Sequence, residues 1–187
     1  MSGEPNRLQV FFAVQLGARI SRPYKRYVDS FGLVGNEMVL DYGSGWGRIS
    51  QHIVERLSQG GHLTCVDVSK VWIEALQKRL EEYSNVDYKL GDIVALYIAD
   101  SAYDIVVVHN VLHHVAKDEQ QEKVAILARK LKPHGRLLIR EFTRAEHGTP
   151  TAEIRALMSA AGLHERESRM TRSVIMGEVF DGVFDKP

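Results

Sequence analysis

The stretch Val39-Leu40-Asp41-Tyr42-Gly43-Ser44-Gly45-Trp46-Gly47-Arg48 constrains this chain more than any other. An apolar run ends in a carboxylate, glycines follow at every second position, and Ile49, Ile53, Val54 and Leu57 then recur at helical spacing. The pattern predicts a strand, a tight turn and a helix. Glycine suits such a turn because it accepts unusual dihedrals and carries no side chain, which lets a ligand approach the backbone closely. A helix beyond the turn would offer unpaired N–H groups to polar ligand atoms.

The rest of the chain repeats this alternation. Pro23 opens a helix to about Phe31, with Tyr24, Tyr27, Val28 and Phe31 on one face. His62 to Asp67 reads as a second strand, and Ser69 caps a helix reaching about Tyr83. Val86 to Leu90 is a third strand, followed by Gly91-Asp92-Ile93, and Tyr103 to Val108 is a β-branched strand suited to the centre of a parallel sheet. A helix from about Asp118 to Leu131 is stopped by Lys132-Pro133-His134-Gly135, and Arg136 to Phe142 makes a fifth strand. Thr151 is expected to cap a helix through Ala161. Two further strands, His164 to Thr171 and Ser173 to Phe180, have no helix between them and should pair as an antiparallel hairpin at one edge. Leu8 to Val14 fits either a short helix or an extended arm. The predicted class is α/β: seven strands, mostly parallel, with helices on both faces.

Composition narrows the function. Lys plus Arg and Asp plus Glu each number 24, so no global field attracts nucleic acid or an anionic membrane surface. No window approaches the roughly 18 apolar residues of a membrane span. The single cysteine, Cys65, excludes a multi-cysteine zinc site and suits a reducing cytoplasm.

Asp41, Asp67 and Asp92 each stand at or just past the carboxyl end of a separate strand, which gathers them along one edge of the sheet. Three carboxylates there can bind a cation, or accept from the amine, hydroxyl and amide-like groups of a nucleoside-bearing cofactor; the glycine turn favours the cofactor. Dinucleotide binders carry G-x-G-x-x-G. Here Gly43, Gly45 and Gly47 give G-x-G-x-G, with Arg48 where the third glycine would fall. An acid directly before the turn suits a cationic ligand group better than a pyrophosphate.

In this order the motifs resemble those of class I S-adenosylmethionine-dependent methyltransferases, most of all the branch with many small-molecule enzymes. They are the D-x-G-x-G-x-G turn at Asp41 to Gly47, Asp67, Gly91-Asp92-Ile93, Tyr103-Asp104-Ile105-Val106, Val111-Leu112-His113-His114-Val115 and Leu131-Lys132-Pro133-His134-Gly135. The resemblance runs from about Met38 to the C-terminus and implies a Rossmann-like fold. It divides the chain into an N-terminal arm, residues 1–37, free to serve as a substrate lid, and a cofactor-binding domain, residues 38–187. It implies that Gly43 and Gly45 contact the methionine part of S-adenosylmethionine, with Asp41 near its ammonium group. Asp67 would bind the ribose hydroxyls, Val68 would pack on the adenine, Asp92 would accept from the adenine amine and the Ile93 backbone would read the ring. His109 would lie near the methyl sulfonium. His134 replaces the family's usual glycine in a surface turn.

The expected activity is methyl transfer by in-line displacement to a small-molecule acceptor, with a non-catalytic cofactor- or partner-binding module as the alternative. A general base, where one is used, is sought among His109, His113, His114 and Glu141. His109 and His113 are four apart, a spacing that serves metals on a helix, but His109 falls on a strand end and no metal is expected. No Asn-Pro-Pro-Tyr type segment follows the fourth strand and no cysteine is placed to attack a pyrimidine, which argues against nucleic-acid methylation.

Overall fold

A computed structural model describes residues 21–58, 60–143, 148–173 and 177–187. The arm segment Leu8 to Val14 and much of the loop between Thr143 and Pro150 lie outside the described residues. The chain divides into two compact units, one ending at Leu96 and the other beginning at Tyr97. The fold is a seven-stranded, mostly parallel α/β sheet of the Rossmann-like kind, with strand order β3-β2-β1 in the first unit and β4-β5-β7-β6 in the second.

In the first unit, helix α1 (Ser21–Asp29) buries Tyr24, Tyr27 and Val28. These residues recur at three- and four-residue spacing and so share one face. The Tyr27 ring meets the edge of Phe31 at 4.8 Å, which continues that face past the helix end. Strands β1 (Met38–Tyr42), β2 (His62–Asp67) and β3 (Val86–Leu90) are parallel, with Asp41 opposite Cys65 and Cys65 opposite Tyr88.

Helix α2 covers only Ser50–Val54, shorter than the apolar spacing to Leu57 predicts. Positive φ values at Gly43, Gly45 and Gly47 hold the chain out of the helical region before Ile49. Beyond Val54 the turn tightens: Arg56 and Leu57 donate three residues back, to Ile53 and Val54, and Leu57 stays buried. Helix α3 (Lys70–Arg79) is capped by Ser69, whose Oγ accepts from the Trp72 N–H at 3.4 Å, and it ends at Leu80 rather than Tyr83.

The second unit holds β4 (Tyr103–His109), a 3₁₀ turn (Leu112–His114), α4 (Lys117–Lys130), β5 (Leu131–Phe142), α5 (Thr151–Ala160), β6 (His164–Ser173) and β7 (Gly177–Asp185). β4 and β5 are parallel, whereas β5–β7 and β7–β6 are antiparallel, the C-terminal hairpin that the missing helix required.

Further boundaries differ from the sequence reading, among them the last strand, which runs Gly177–Asp185 rather than Ser173 to Phe180. Strand β5 begins at Leu131, which pairs with Tyr103, and resumes at Arg136 opposite Ile105. The Lys132-Pro133-His134-Gly135 stop signal therefore lies within the strand as a register shift. Lys132 Nζ is 2.8 Å from both oxygens of Asp104 and His134 takes φ +63°. The cap of α5 falls on Pro150, with no side-chain bond. Thr151 is the first helical residue, and its hydroxyl faces Met170 Sδ at 3.8 Å, so it does not cap as expected.

Candidate functional site

The glycine loop of the first unit is tied down from β2. The Gly43 and Ser44 N–H groups both donate to the Val66 carbonyl, at 2.8 and 3.1 Å. Gly45 N–H donates to Asp67 Oδ2 at 2.8 Å, and Ser69 N–H donates to Oδ1 at 2.9 Å. One carboxylate thus joins the loop to the start of α3. Gly47 N–H bonds to Ser44 O, and Gln51 N–H bonds back to Gly47 O. The loop amides at Gly43, Ser44, Gly45 and Gly47 are thus taken up by Val66 O, Asp67 and Ser44 O.

The glycines divide by surroundings. A methyl group added at Gly47 would lie 2.4 Å from Leu76 Cδ1, so this glycine permits close packing of the loop on α3. At Gly45, with φ +53°, nothing lies within 4 Å of the same position, and the backbone presents an open surface. Val68, directly after Asp67, leaves 68% of its surface exposed, unusual for a valine in a structured segment.

Asp41 is 1% exposed, and Ser50 donates its hydroxyl to Oδ2 at 2.6 Å. Burial pushes the carboxyl up to about 7; the Ser50 bond acts against the shift and the charge of Asp67 adds to it. The neighbouring Cys65 thiol is buried and also raised, first by desolvation and then by Asp41, which makes it a poor nucleophile. Asp92 Oδ1 accepts from the Val94 N–H at 3.0 Å in a local turn, and the Ile93 side chain is buried. Gly91 N–H bonds to Asp67 O, which brings the ends of β2 and β3 together.

Trp46 packs between two guanidinium groups, Arg48 at 4.9 Å and Arg79 at 4.7 Å from its ring centre. Arg48 also stacks on Tyr24. Sequence reasoning missed this stack and the Ser50 partner of Asp41, because neither pairing has a fixed spacing.

In the second unit, His109 ends β4 opposite Arg140 of β5. Asn110 turns the chain with φ +56°, its N–H bonded to Arg140 O at 2.7 Å. Glu141, fully buried, accepts from the Val111 and Leu112 N–H groups on Oε2, at 3.0 and 2.8 Å. Its Oε1 accepts from Phe142 N–H at 3.1 Å and lies 2.5 Å from His113 Nδ1. The His113 ring lies against His114 at 3.9 Å, tilted by 45°, and meets the edge of Phe142 at 5.1 Å. Of the four candidate bases, the structure thus joins His113 and Glu141 directly and lays His114 against the pair. Among the described residues, no group of three or more His, Cys, Asp or Glu side chains could hold a metal ion.

A turn of alternate glycines between acid-ended parallel strands defines a nucleoside-cofactor protein of the Rossmann-like class. The methyltransferase-domain family model matches residues 39–135, and the chain belongs to that family. It is 28% identical over 132 residues to the ubiquinone/menaquinone biosynthesis C-methyltransferase UbiE of Shewanella piezotolerans, an alignment covering 68% of this chain and 52% of that one. The chain spans about half the length of the curated relatives it matches. Among solved structures it resembles a TehB-like SAM-dependent methyltransferase from Corynebacterium glutamicum, with TM-score 0.76, 19% identity, and 97% of this chain and 100% of that one covered. It also resembles the N-methyltransferase NodS of Bradyrhizobium japonicum solved with S-adenosyl-L-homocysteine, with TM-score 0.73, 19% identity and 91% and 87% covered.

Proposed function

We propose that this protein is an S-adenosylmethionine-dependent methyltransferase acting on a small-molecule acceptor. The observation that carries the reading is the state of the glycine loop. Its amides at Gly43, Ser44, Gly45 and Gly47 are already bonded within the protein, so the glycines themselves offer a pyrophosphate no free N–H donor. What the loop presents is an open backbone face at Gly45 between two acids, Asp41 and Asp67, and that suits a cationic, hydroxyl-bearing ligand.

In this reading Gly43 and Gly45 line the amino-acid part of the cofactor, and Asp41 acts beneath them as a charge near the ammonium group. Asp67 accepts from the ribose, and exposed Val68 packs on the adenine. Asp92 and the Ile93 backbone recognise the adenine edge, and His109 belongs to the methyl end. When bound, S-adenosylmethionine supplies an activated methyl carbon whose bond to sulfur breaks with the electron pair kept by sulfur. The chain's own contribution is positioning, with donor and acceptor held close and aligned. In this reading residues 38–187 are the cofactor-binding domain and residues 1–37 a separate N-terminal arm with a role in acceptor binding, in a protein of the cytoplasm. No helix among the described residues is long and apolar enough to cross a membrane.

Isothermal titration with S-adenosylmethionine, S-adenosylhomocysteine and NADH tests the reading. Saturable binding of the first two is expected, and binding of NADH alone would overturn it. Binding without transfer of a labelled methyl group to any component of a small-molecule extract would instead leave a non-catalytic cofactor-binding module.

A further inference from the structure

The Glu141 carboxylate sits at the carboxyl end of β5, fully buried, and the main-chain groups bonded to it among the described residues all donate: Val111 and Leu112 to Oε2, Phe142 to Oε1. A carboxylate only accepts. The remaining contact, His113 Nδ1 at 2.5 Å, is therefore assigned the proton-bearing nitrogen, which leaves the lone pair on Nε2. Nε2 has no partner among the described residues. The tilted contact with His114 and the edge contact with Phe142 fix the plane of the ring, and the mostly buried side chain, 12% exposed, still reaches solvent. Three backbone donors already satisfy the carboxylate, so the imidazole is not needed to pair it.

We propose that Glu141 holds His113 in the orientation and tautomer of a general base, which takes the proton from an oxygen- or carbon-acid acceptor as that acceptor is methylated. The inference rests on the methyltransferase reading and deepens it by naming the acceptor class. A neutral amine or a thiolate carries its attacking electron pair before reaction and needs no base. A hydroxyl oxygen is a weak nucleophile until its proton leaves, and an acidic C–H has no free pair at all, so both need one. The bond to hydrogen breaks, the proton goes to His113 Nε2, and the electron pair left on oxygen or carbon forms the bond to the incoming methyl carbon. The proton then passes from His113 to water after the product leaves. His113 lies just past the carboxyl end of β4, and Glu141 at that of β5, the end of a parallel sheet where ligands bind. Among the described residues, Glu141 and His114 are the titratable groups in contact with the ring.

The test uses the full chain with methyl-labelled S-adenosylmethionine and three probes: catechol, 4-nitrocatechol at a pH where it is ionised before it binds, and benzylamine. Catechol methylation is expected to fall by about 10² to 10⁴ in His113→Ala and His113→Gln, with cofactor affinity unchanged. In both variants the catechol rate should follow the acceptor's own ionisation, so the defect narrows as pH rises. With 4-nitrocatechol the defect should shrink to below about tenfold, since its proton is already gone. A purely structural role would depress both probes alike. Nitrogen-15 NMR of the imidazoles reads the assignment without turnover: His113 should carry its proton on Nδ1, and Glu141→Gln should abolish that preference. Because Glu141→Gln disturbs a buried acceptor of three N–H groups, the His113 variants carry the test if it fails to fold.

Equal losses with the two catechols, an unaffected rate in His113→Ala, or a proton on Nε2 would each overturn the inference. Transfer to benzylamine alone, or to none of the probes by a protein that binds the cofactor, would overturn the acceptor class. Failure to bind S-adenosylmethionine would overturn the methyltransferase reading itself.

Discussion

Ser50 donates its hydroxyl to the Asp41 carboxylate at 2.6 Å, in a pair enclosed beneath the glycine loop. The bond favours the ionised form, but burial outweighs it and raises the Asp41 carboxyl from 3.8 to about 7. Between those values the folded protein holds a proton that the unfolded chain has released, so stability falls as pH rises across the window. Below it both states are protonated and the contribution is fully present; above it the cost of a buried charge is complete. A separation of roughly three units, at about 1.4 kcal/mol per unit, makes the effect of order 4 kcal/mol. Urea-unfolding midpoints should therefore decline across this window in the wild type and stay nearly flat in Asp41→Asn, which keeps the side-chain volume and a partner for Ser50.

Bringing an ammonium group near Asp41 favours its charged form, so cofactor binding below about pH 7 should release a proton. Titration calorimetry in buffers of different ionisation enthalpy measures this release. It should be seen in the wild type and be absent in Asp41→Asn; equal release in both would remove Asp41 from the cofactor's surroundings.

Two substitutions of the same kind should part at the glycine loop. Gly47→Ala meets Leu76 Cδ1 at 2.4 Å and keeps φ at +87°, so crowding and backbone strain together should destabilise the fold by about 3 kcal/mol. Gly45→Ala has open space and should cost only the left-handed strain, about 1 kcal/mol. Its methyl group would occupy the open face, so S-adenosylmethionine affinity should fall far more than the melting temperature does. Thermal unfolding with and without cofactor separates the two effects.

Asp67 has a structural duty beside its proposed ligand role, since it accepts from both Gly45 and Ser69. Asp67→Asn turns an amide NH₂ toward one of those N–H groups and should cost about 1–3 kcal/mol. Cofactor affinity should drop by at least about tenfold, the scale of one lost charge-assisted bond. An unchanged affinity in a folded variant would remove Asp67 from the ribose site.

His134 has φ +63°, and its N–H donates to Lys186 O at 3.0 Å. The bond is main-chain and survives substitution, while the strain of a side chain in the left-handed region does not. His134→Gly should stabilise the protein by about 1 kcal/mol, visible as a rise of roughly 2–4 °C in melting temperature.

Much of this was legible from local pattern. The strand and helix order, the antiparallel closing hairpin and the acids at the strand ends follow from apolar periodicity and punctuation by glycine and proline. The four candidate bases were also visible as residue types. Which of them meet was not, because His113 and Glu141 are 28 residues apart and no spacing rule links them. Local rules also misplaced ends: Thr151 looks like a cap, yet Pro150 holds that position, and the Lys132 to Gly135 stop signal became a register shift once Leu131 paired with Tyr103.

The sequence by itself determined the class of ligand loop, since three alternate glycines behind an acid-ended strand admit few conformations and few partners. It did not determine the state of any side chain there. Only the tertiary structure buried Asp41 against Ser50, gave Gly47 to packing and left Gly45 open, and turned Glu141 into the acceptor for His113. The reason is physical: a backbone turn follows from the dihedral preferences of consecutive residues, whereas burial and proton placement depend on groups that the fold alone makes neighbours.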